Sequence, residues 1–551
     1  MAERKRKILA APLGNDVHVA GILSFLRLAE EQGYDTAFLG PAVGITGIID
    51  AAMEYRPDVL ALSYRLTPEV VGDLVNETRQ ALQEAGMGEL PLVFGGTPPV
   101  ARAAEASGHF VRAFSGLEPV DEVIAWLQGR DVDEVAVRYP DSLLQRIAGK
   151  KPYPLLRHHF GLPSLADTIS GIKEIAEAKV LDVISIGPDQ NAQASFFRPE
   201  EMDVSQSGAG GVPVRTPEDL RALYAASRTG NFPLLRVYAG TRDLLSWAKM
   251  SQETLHNAWA AVPLCWYSEL DGRSNRPLLA AMQENLQIIR WHAEQGIPVE
   301  VNEAHHWSLR ESSDVIAVAM AYLAAYNAKA QGVQHYIAQY MFNTPNGTWY
   351  DQDLAKMLAK QQLIHSLHDA EFQSFTQVRT GLASLSPNLN QAKGQLASSI
   401  HLALSLCPDI VHVVGFSEAD HAAKASDVIE SCEIISGVLQ NTRSGLPDAT
   451  SDPAVVRRKQ ELLDEAGVLL AAIRRLGQGM ADDPLASPEV LTMAIKSGLL
   501  DAPHLRGNSA ARGQLVTRLV DGACVAIDPD TGLAIDESRR LALLAKANAK
   551  A

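Results

Sequence analysis

The chain has 551 residues, 46% hydrophobic and 21% charged, with a formal net charge of −16. At about 150 residues per domain that length implies two to four domains of an ordinary soluble class. The acidic balance and the lack of a basic stripe exclude a nucleic-acid partner; the lone basic run, Arg4-Lys5-Arg6-Lys7, reads as a solvated tail.

Residues 8–13 form an apolar run too short for a secretory leader. The longest apolar stretch, 315–326, is short of a membrane span and reads as a buried helix, so no membrane partner is expected. Cys265, Cys407, Cys432 and Cys524 are far apart and form no CxxC pair. They predict reduced thiols in a cytoplasmic protein and argue against a zinc or iron–sulfur site.

In chain order, residues 7–10 read as a strand and 19–31 as a helix ended by Gly33. Further strands are expected at 36–39, 59–63, 92–94 and 110–114. This alternation predicts a doubly wound parallel sheet, flavodoxin-like, over residues 1–130. Residues 131–170 read as a linker: 131–134 is acidic, and Lys150-Lys151-Pro152-Tyr153-Pro154 is turn-like. Over 171–445 the alternation returns at a longer period. Strands are expected at 180–186, 233–238, 262–266, 298–302, 334–339, 371–376 and 410–415, with helices at 277–295 and 314–331. That size fits a (β/α)8 TIM barrel, although only seven strands can be placed. Residues 446–551 read as a helical and hairpin extension: helices at 452–476 and 488–497, and a hairpin at 523–533 turning at Asp528-Pro529-Asp530-Thr531-Gly532.

The sharpest pattern is Asp16-x-His18-x-x-Gly21, between the first strand and its helix. Ser63 and the pair Gly95-Gly96 end the third and fourth strands. All lie at carboxyl ends of parallel strands, where such sheets bind ligands. A neutral imidazole is a good metal ligand, and a carboxylate two residues earlier can fix its tautomer. Glycines allow close approach of a flat group.

Asp16, His18, Gly21, Ser63, Gly95 and Gly96 together resemble the base-off, His-on cobalamin-binding domain of methionine synthase, methylmalonyl-CoA mutase and glutamate mutase. The resemblance implies that His18 ligates cobalt and that the other residues cradle the cofactor. It departs at Arg65, where the family usually has Leu. From about 171 to 540 the chain is similar to the catalytic subunit of glutamate mutase. The matching pieces are Gly240-Thr241, Glu294-Gln295-Gly296 with Asn302-Glu303, Ser386-Pro387 through Lys393-Gly394, Gly498 to Pro503, and Asp521 to Val525. The likeness implies adenosylcobalamin, a radical isomerase mechanism (a carbon-skeleton mutase) and a small-molecule substrate, with a possible homodimer through the barrel.

Among barrel residues, Glu303 either holds a substrate ammonium or makes a structural ion pair. Lys393 either binds the adenosyl ribose or a carboxylate, or lies on the surface. His305 and His306 are pocket or core histidines, and Tyr267 with Trp266 is pocket wall or core. Arg236, Arg273, Arg310 and Arg379 are strand-end cations, and Asp189, Gln190, Asn191 and Gln193 a polar cluster. Glutamate mutase grips its substrate with arginines at three sites that fall here near Ala192, Gly208 and Tyr238. None is Arg, so glutamate is not the expected substrate. The alternatives are a corrinoid methyltransferase, which would need a methyl-donor site and often a helical cap ahead of residue 7, and a non-catalytic B12 carrier. A pyridoxal-phosphate aminomutase would need a Schiff-base lysine, with Lys173, Lys179 and Lys393 as candidates.

Overall fold

The structure is a computed structural model that describes residues 4–118, 120–130, 139–442, 445 and 447–549. The acidic stretch 131–134 lies outside the described residues. The chain divides into two compact units, Met1–Tyr139 and Pro140–Ala551.

The first unit is a five-stranded parallel sheet of β1 (Lys7–Pro12), β2 (Asp35–Phe38), β3 (Val59–Tyr64), β4 (Leu92–Gly96) and β5 (Arg112–Phe114), in the order β2-β1-β3-β4-β5. Both faces are covered, so the central strands β1, β3 and β4 are mainly apolar, while the edge strands β2 and β5 start on Asp35 and Arg112. Along β1 the side chains alternate. Ile8 and Ala10 pack with Ile22, Leu26 and Ala29 of helix Ala20–Glu31. Leu9 and Ala11 pack with Ile48, Val71 and Val100 of the three helices on the other face. The strand order reverses between β1 and β3, which opens a crevice at their carboxyl ends.

The second unit holds eight parallel strands: β6 (Leu155–Phe160), β7 (Val183–Ile186), β8 (Leu234–Val237), β9 (Ala260–Val262), β10 (Val299–Val301), β11 (His335–Phe342), β12 (Gln373–Thr380) and β13 (Ile410–His412). They are ordered β8-β7-β6-β13-β12-β11-β10-β9, so the first and last pair, with Arg157 beside His412. β8 and β9 share no ladder. Single backbone bonds, Ala258 N to Leu235 O at 2.8 Å and Ala239 N to Ala261 O at 3.1 Å, draw that seam together. The result is a nearly closed parallel barrel. The strand that sequence patterning could not place is β6, inside the stretch read as a linker.

The apolar run at 315–326 forms part of helix Asp314–Ala330, apolar on every side. One side faces the barrel; the other is covered by helix Pro453–Leu476 of the C-terminal extension. Burial on two sides, not a lipid bilayer, accounts for it. No helix among the described residues is long and apolar enough to cross a membrane. Asp314 ties this layer together: it pairs with Lys356 at 3.2 Å and Arg458 at 3.6 Å, and accepts from Cys524 N at 3.0 Å. Asp501 orders the segment after it, accepting from the backbone N of Gly513, Gln514 and Leu515 at 2.9–3.0 Å.

A two-stranded hairpin precedes the expected one. It pairs β14 (Thr517–Val520) with β15 (Ala523–Ala526) and turns at Asp521-Gly522, both at positive φ (48° and 77°). That is the two-residue turn whose twist suits a hairpin. The expected turn at Asp528–Gly532 is present as well: it joins Ile527 and Ala534 across an isolated antiparallel bridge, with Asp528 N donating to Leu533 O at 2.9 Å and Asp528 Oδ1 accepting from Asp530 N at 2.9 Å.

Candidate functional site

In the first unit the loop after β1 lies at the switch point. Leu13 N donates to Ser63 O at 2.8 Å, tying this loop to the end of β3. The Asp16 side chain is fully buried. Its Oδ1 accepts from His18 N at 2.8 Å and faces His18 Nδ1 at 2.7 Å, while its Oδ2 accepts from Arg65 N at 2.6 Å. One carboxylate therefore bolts the β1 loop to the β3 loop and orients the imidazole. The His18 side chain is 47% exposed. A neutral ring that donates Nδ1–H to Asp16 keeps the Nε2 lone pair turned outward, as a metal ligand requires. The backbone N–H of Arg65, not its side chain, makes the contact with Asp16.

Ser63 sits beside Pro12 on one flank and Gly95 on the other. Its hydroxyl is buried and has no hydrogen-bond partner among the described residues. A Cβ at Gly21 or Gly95 would meet nothing within 4 Å, whereas one at Gly96 would lie 2.7 Å from Tyr64 O and 2.9 Å from Phe94. Gly96 is thus demanded by the fold itself, while Gly21 and Gly95 leave open space. A free imidazole nitrogen, an orphaned hydroxyl and two open glycines are a donor set and cradle that fit a corrinoid: His18 to the cobalt, Ser63 to the tail, Gly21 and Gly95 beside the ring system. Among the described residues no group of three or more His, Cys, Asp or Glu is arranged to hold a metal ion. A lone imidazole suits a metal that arrives with its own equatorial ligands.

In the second unit the strand carboxyl ends enclose a cavity of about 850 Å³. Its floor is polar and interlocked. Arg157, fully buried, reaches Ser185 at 2.6 Å, His412 Nδ1 at 2.9 Å, His159 Nε2 at 2.8 Å and Gln377 at 3.2 Å. Arg236 pairs with Glu300 at 3.0 Å, and Trp259 donates to the same carboxylate at 2.8 Å. Burial brings the Arg157 guanidinium down to about 9, with the charge of Arg236 acting in the same direction.

Above this floor stand His159, His305, His306 and His412, all bordering the cavity. Burial first, then neighbouring positive charge, pushes each well below the ordinary imidazole value, and Arg379 contributes to every one. The four rings are neutral at physiological pH. Tyr238 OH lies 2.8 Å from His159 Nε2, with the two rings stacked. Burial would raise this phenol, but the guanidiniums of Arg157 and Arg236 outweigh it and bring it below 10.

Of the barrel residues expected from sequence, His305 and Tyr267 border the cavity, as do His306, Arg273, Arg379, Gln190 and Gln193. Tyr267 holds a left-handed backbone (φ 60°), and burial lifts its phenol to about 12. Three expectations are corrected. Glu303 does not reach the cavity: it is fully buried, and its oxygens accept from Leu264 N, Cys265 N, Cys265 Sγ and Trp307 Nε1. With four donors already converging on it, it braces the loop after β9 rather than holding a substrate ammonium. Lys393 pairs with Glu430 at 2.5 Å and covers the Phe416 ring, so it joins two helices and does not line the cavity. Arg236 lies in the floor, committed to Glu300. Asp189 is likewise structural: it caps its helix and grips Arg215 through both oxygens. Neither Lys173 nor Lys179 borders the cavity.

Sequence reasoning missed His159 and His412 as site residues, and reached Tyr238 only as a position where the resembling family carries an arginine. For His159 a signal existed: in Leu155-Leu156-Arg157-His158-His159-Phe160 the polar Arg157 and His159 stand two residues apart, on one face of a strand, and the run is followed by Gly161. The Gly240-Thr241 match also has a local reason. A Cβ at Gly240 would lie 2.7 Å from Gln193 O, which accepts from Thr241 N at 2.9 Å.

Comparison with known proteins matches residues 6–124 to the B12 binding domain. A stretch of 135 residues is 27% identical to trimethylamine corrinoid protein 2 of Methanosarcina acetivorans, covering 23% of this chain and 60% of that protein. A stretch of 122 residues is 26% identical to the pivalyl-CoA mutase small subunit of Xanthobacter autotrophicus, covering 22% of this chain and 80% of that one. Among solved structures, a cobalamin-binding protein from Desulfitobacterium hafniense is 27% identical over 20% of this chain and 52% of its own, at a TM-score of 0.18. All three likenesses cover a quarter of this chain or less. The chain carries an N-terminal B12-binding domain, matched over residues 6–124, followed by a nearly closed parallel barrel with C-terminal helices and a hairpin.

Proposed function

We propose that the protein is an adenosylcobalamin-dependent isomerase that rearranges the carbon skeleton of a small carboxylic or amino acid other than glutamate. The observation that carries this reading is the pairing, in one chain, of an Asp16-held imidazole with a free outward nitrogen and a walled barrel cavity of about 850 Å³. The likeness to a mutase small subunit supports it.

When bound, the cofactor supplies a weak cobalt–carbon bond and hence radical chemistry. The chain's own residues have simpler tasks. His18 would hold the metal, with Asp16 keeping the ring in the tautomer that permits this, and the Ser63 hydroxyl would donate to the cofactor's tail. In the barrel, Arg157 and the Arg236–Glu300 pair fix the floor, so the groups above them do not collapse when substrate leaves. Neutral histidines and a tyrosine line the walls, exchange few protons and limit water, which protects reactive intermediates from quenching.

The second reading, a corrinoid methyltransferase, is favoured by the likeness to a trimethylamine corrinoid protein. One experiment separates the two. The full chain is titrated with adenosylcobalamin and with methylcobalamin, and then examined by EPR while small carboxylic acids are screened. The isomerase reading requires a radical signal with adenosylcobalamin plus a substrate. Methyl transfer from methylcobalamin without any such signal overturns it.

A further inference from the structure

The balance of hydrogen-bonding groups around the barrel cavity points further than the class of reaction. Its cations differ in the acid that stands beside them. Arg273 lies over the Tyr267 ring at 4.7 Å, with its Nε 3.8 Å from Asp271. Arg157 is held in the floor by four partners, and Arg236 there by Glu300, with its Nε and Nη1 unpaired among the described residues. Arg379 on β12 borders the cavity with no carboxylate within ion-pair distance among the described residues, although the charge of Glu418 acts on it. Its Nε donates to Thr380 O at 3.2 Å, which fixes the stem, but among the described residues its terminal nitrogens make no hydrogen bond or ion pair. It borders the same cavity as Tyr238 and the four histidines, and its charge acts on all of them.

Two other donors face the same space. His305 borders the cavity, and its Nδ1 lies 3.1 Å from the Gln339 amide nitrogen; accepting there leaves Nε2–H as the ring's remaining donor. Asn302, 2% exposed, also borders the cavity, and its Nδ2 has no partner among the described residues. Against these donors the cavity offers one carboxylate, the exposed Glu418. A donor surplus in a walled site is satisfied by an oxyanion, and a planar guanidinium with both terminal nitrogens free matches a carboxylate in bidentate fashion.

Resting on the mutase reading for its chemistry, we infer that the barrel selects a dicarboxylate, with Arg379 taking one carboxylate and the His305–Asn302 side taking oxygens of the second. The ammonium of an amino acid finds no matching acid in the cavity wall beyond Glu418.

The test uses the full chain without cofactor and calorimetric titration with succinate, propionate, butylammonium and inorganic phosphate. Succinate binds most tightly. Arg379→Gln weakens it about tenfold or more, and Arg379→Lys by less, because a point charge keeps attraction but loses the fork. His305→Phe weakens succinate severalfold and leaves propionate within twofold. Unfolding temperatures are taken for each variant; if Arg379→Gln fails to fold, Arg379→Lys decides. The proposal is overturned by equal succinate affinity in the wild type and the decisive variant, by no succinate binding, or by phosphate or butylammonium binding more tightly than succinate. Cobalamin titration of the same samples separates the two ideas. Carboxylate binding that persists without cobalamin binding removes the mutase reading and keeps this one.

Discussion

The Asp16–His18 pair admits a test with a worked magnitude. Asp16→Asn keeps the volume of the side chain but turns one acceptor into a donor. If the new NH₂ replaces Oδ1 it faces His18 N–H, now 2.8 Å away; if it replaces Oδ2 it faces Arg65 N–H, now 2.6 Å away. Either choice sets two donors against each other in a fully buried place, at a cost of about 1–3 kcal/mol of stability. The imidazole also loses its anionic partner, and loss of such a partner typically weakens metal affinity by about 10–100-fold. The assay is a visible-spectrum titration of the full chain with aquacobalamin, alongside urea unfolding. Asp16→Asn should show both losses. His18→Ala should keep its stability, because the side chain is 47% exposed, yet lose the spectral signature of imidazole coordination. Added free imidazole should restore that signature. An unchanged spectrum and affinity in His18→Ala would refute the assignment, and so would tight, normally coordinated binding in Asp16→Asn.

The two adjacent glycines should part company. Gly95→Ala has open space and should unfold at the wild-type temperature while binding cobalamin more weakly. Gly96→Ala meets Tyr64 O at 2.7 Å and should lose about 1–3 kcal/mol with or without cofactor; equal behaviour of the pair would show that neither space belongs to the cofactor. In the barrel floor, Arg236→Met leaves Glu300 buried without its cation and should cost about 3–5 kcal/mol in urea unfolding, and Arg236→Met/Glu300→Met should recover much of it. A double variant no more stable than the single one would mean the pair is not the source of the loss. Glu303 gives a pH test. Burial lifts its carboxyl from 4.5 to about 7, so the folded state holds a proton that the unfolded chain has released across that window. Its contribution to stability therefore falls as pH rises from 4.5 to 7, by about 3 kcal/mol in all at about 1.4 kcal/mol per pH unit. Glu303→Gln carries no such proton. Measured by urea unfolding at pH 5 and pH 8, its stability relative to wild type should improve at the higher pH, and a gap that stays constant or widens would contradict the shift.

What the sequence revealed follows from how local the physics is. The cofactor loop was legible because Asp16, His18 and Gly21 act within one turn of chain, and their partners Ser63 and Gly95 sit at strand ends fixed by hydrophobic alternation. The barrel strands were legible where burial on both faces makes short apolar runs, as at 183–186 and 234–237. β6 was not, because its inward positions carry Arg157 and His159 and it follows Lys150-Lys151-Pro152, a turn-like signal that outweighed six residues of strand. The C-terminal reversals were half legible: Asp528-Pro529-Asp530-Thr531-Gly532 does turn the chain into the Ile527–Ala534 bridge, but the tighter hairpin just before it, whose two positive φ angles fall at Asp521-Gly522, was not read. The substrate-side residues were the least legible. Glu303 and Lys393 were singled out by charge and by likeness to a known family, and each proved to be spent on a neighbour distant in sequence, Cys265 or Glu430. Whether a charged side chain is available for binding depends on what stands opposite it across the barrel, and strand spacing alone does not specify that. Arg379 shows the converse. In the sequence it is one strand-end cation among four. It becomes distinctive only when the partners of the others are seen, because a cavity's affinity is set by the groups that folding leaves unpaired.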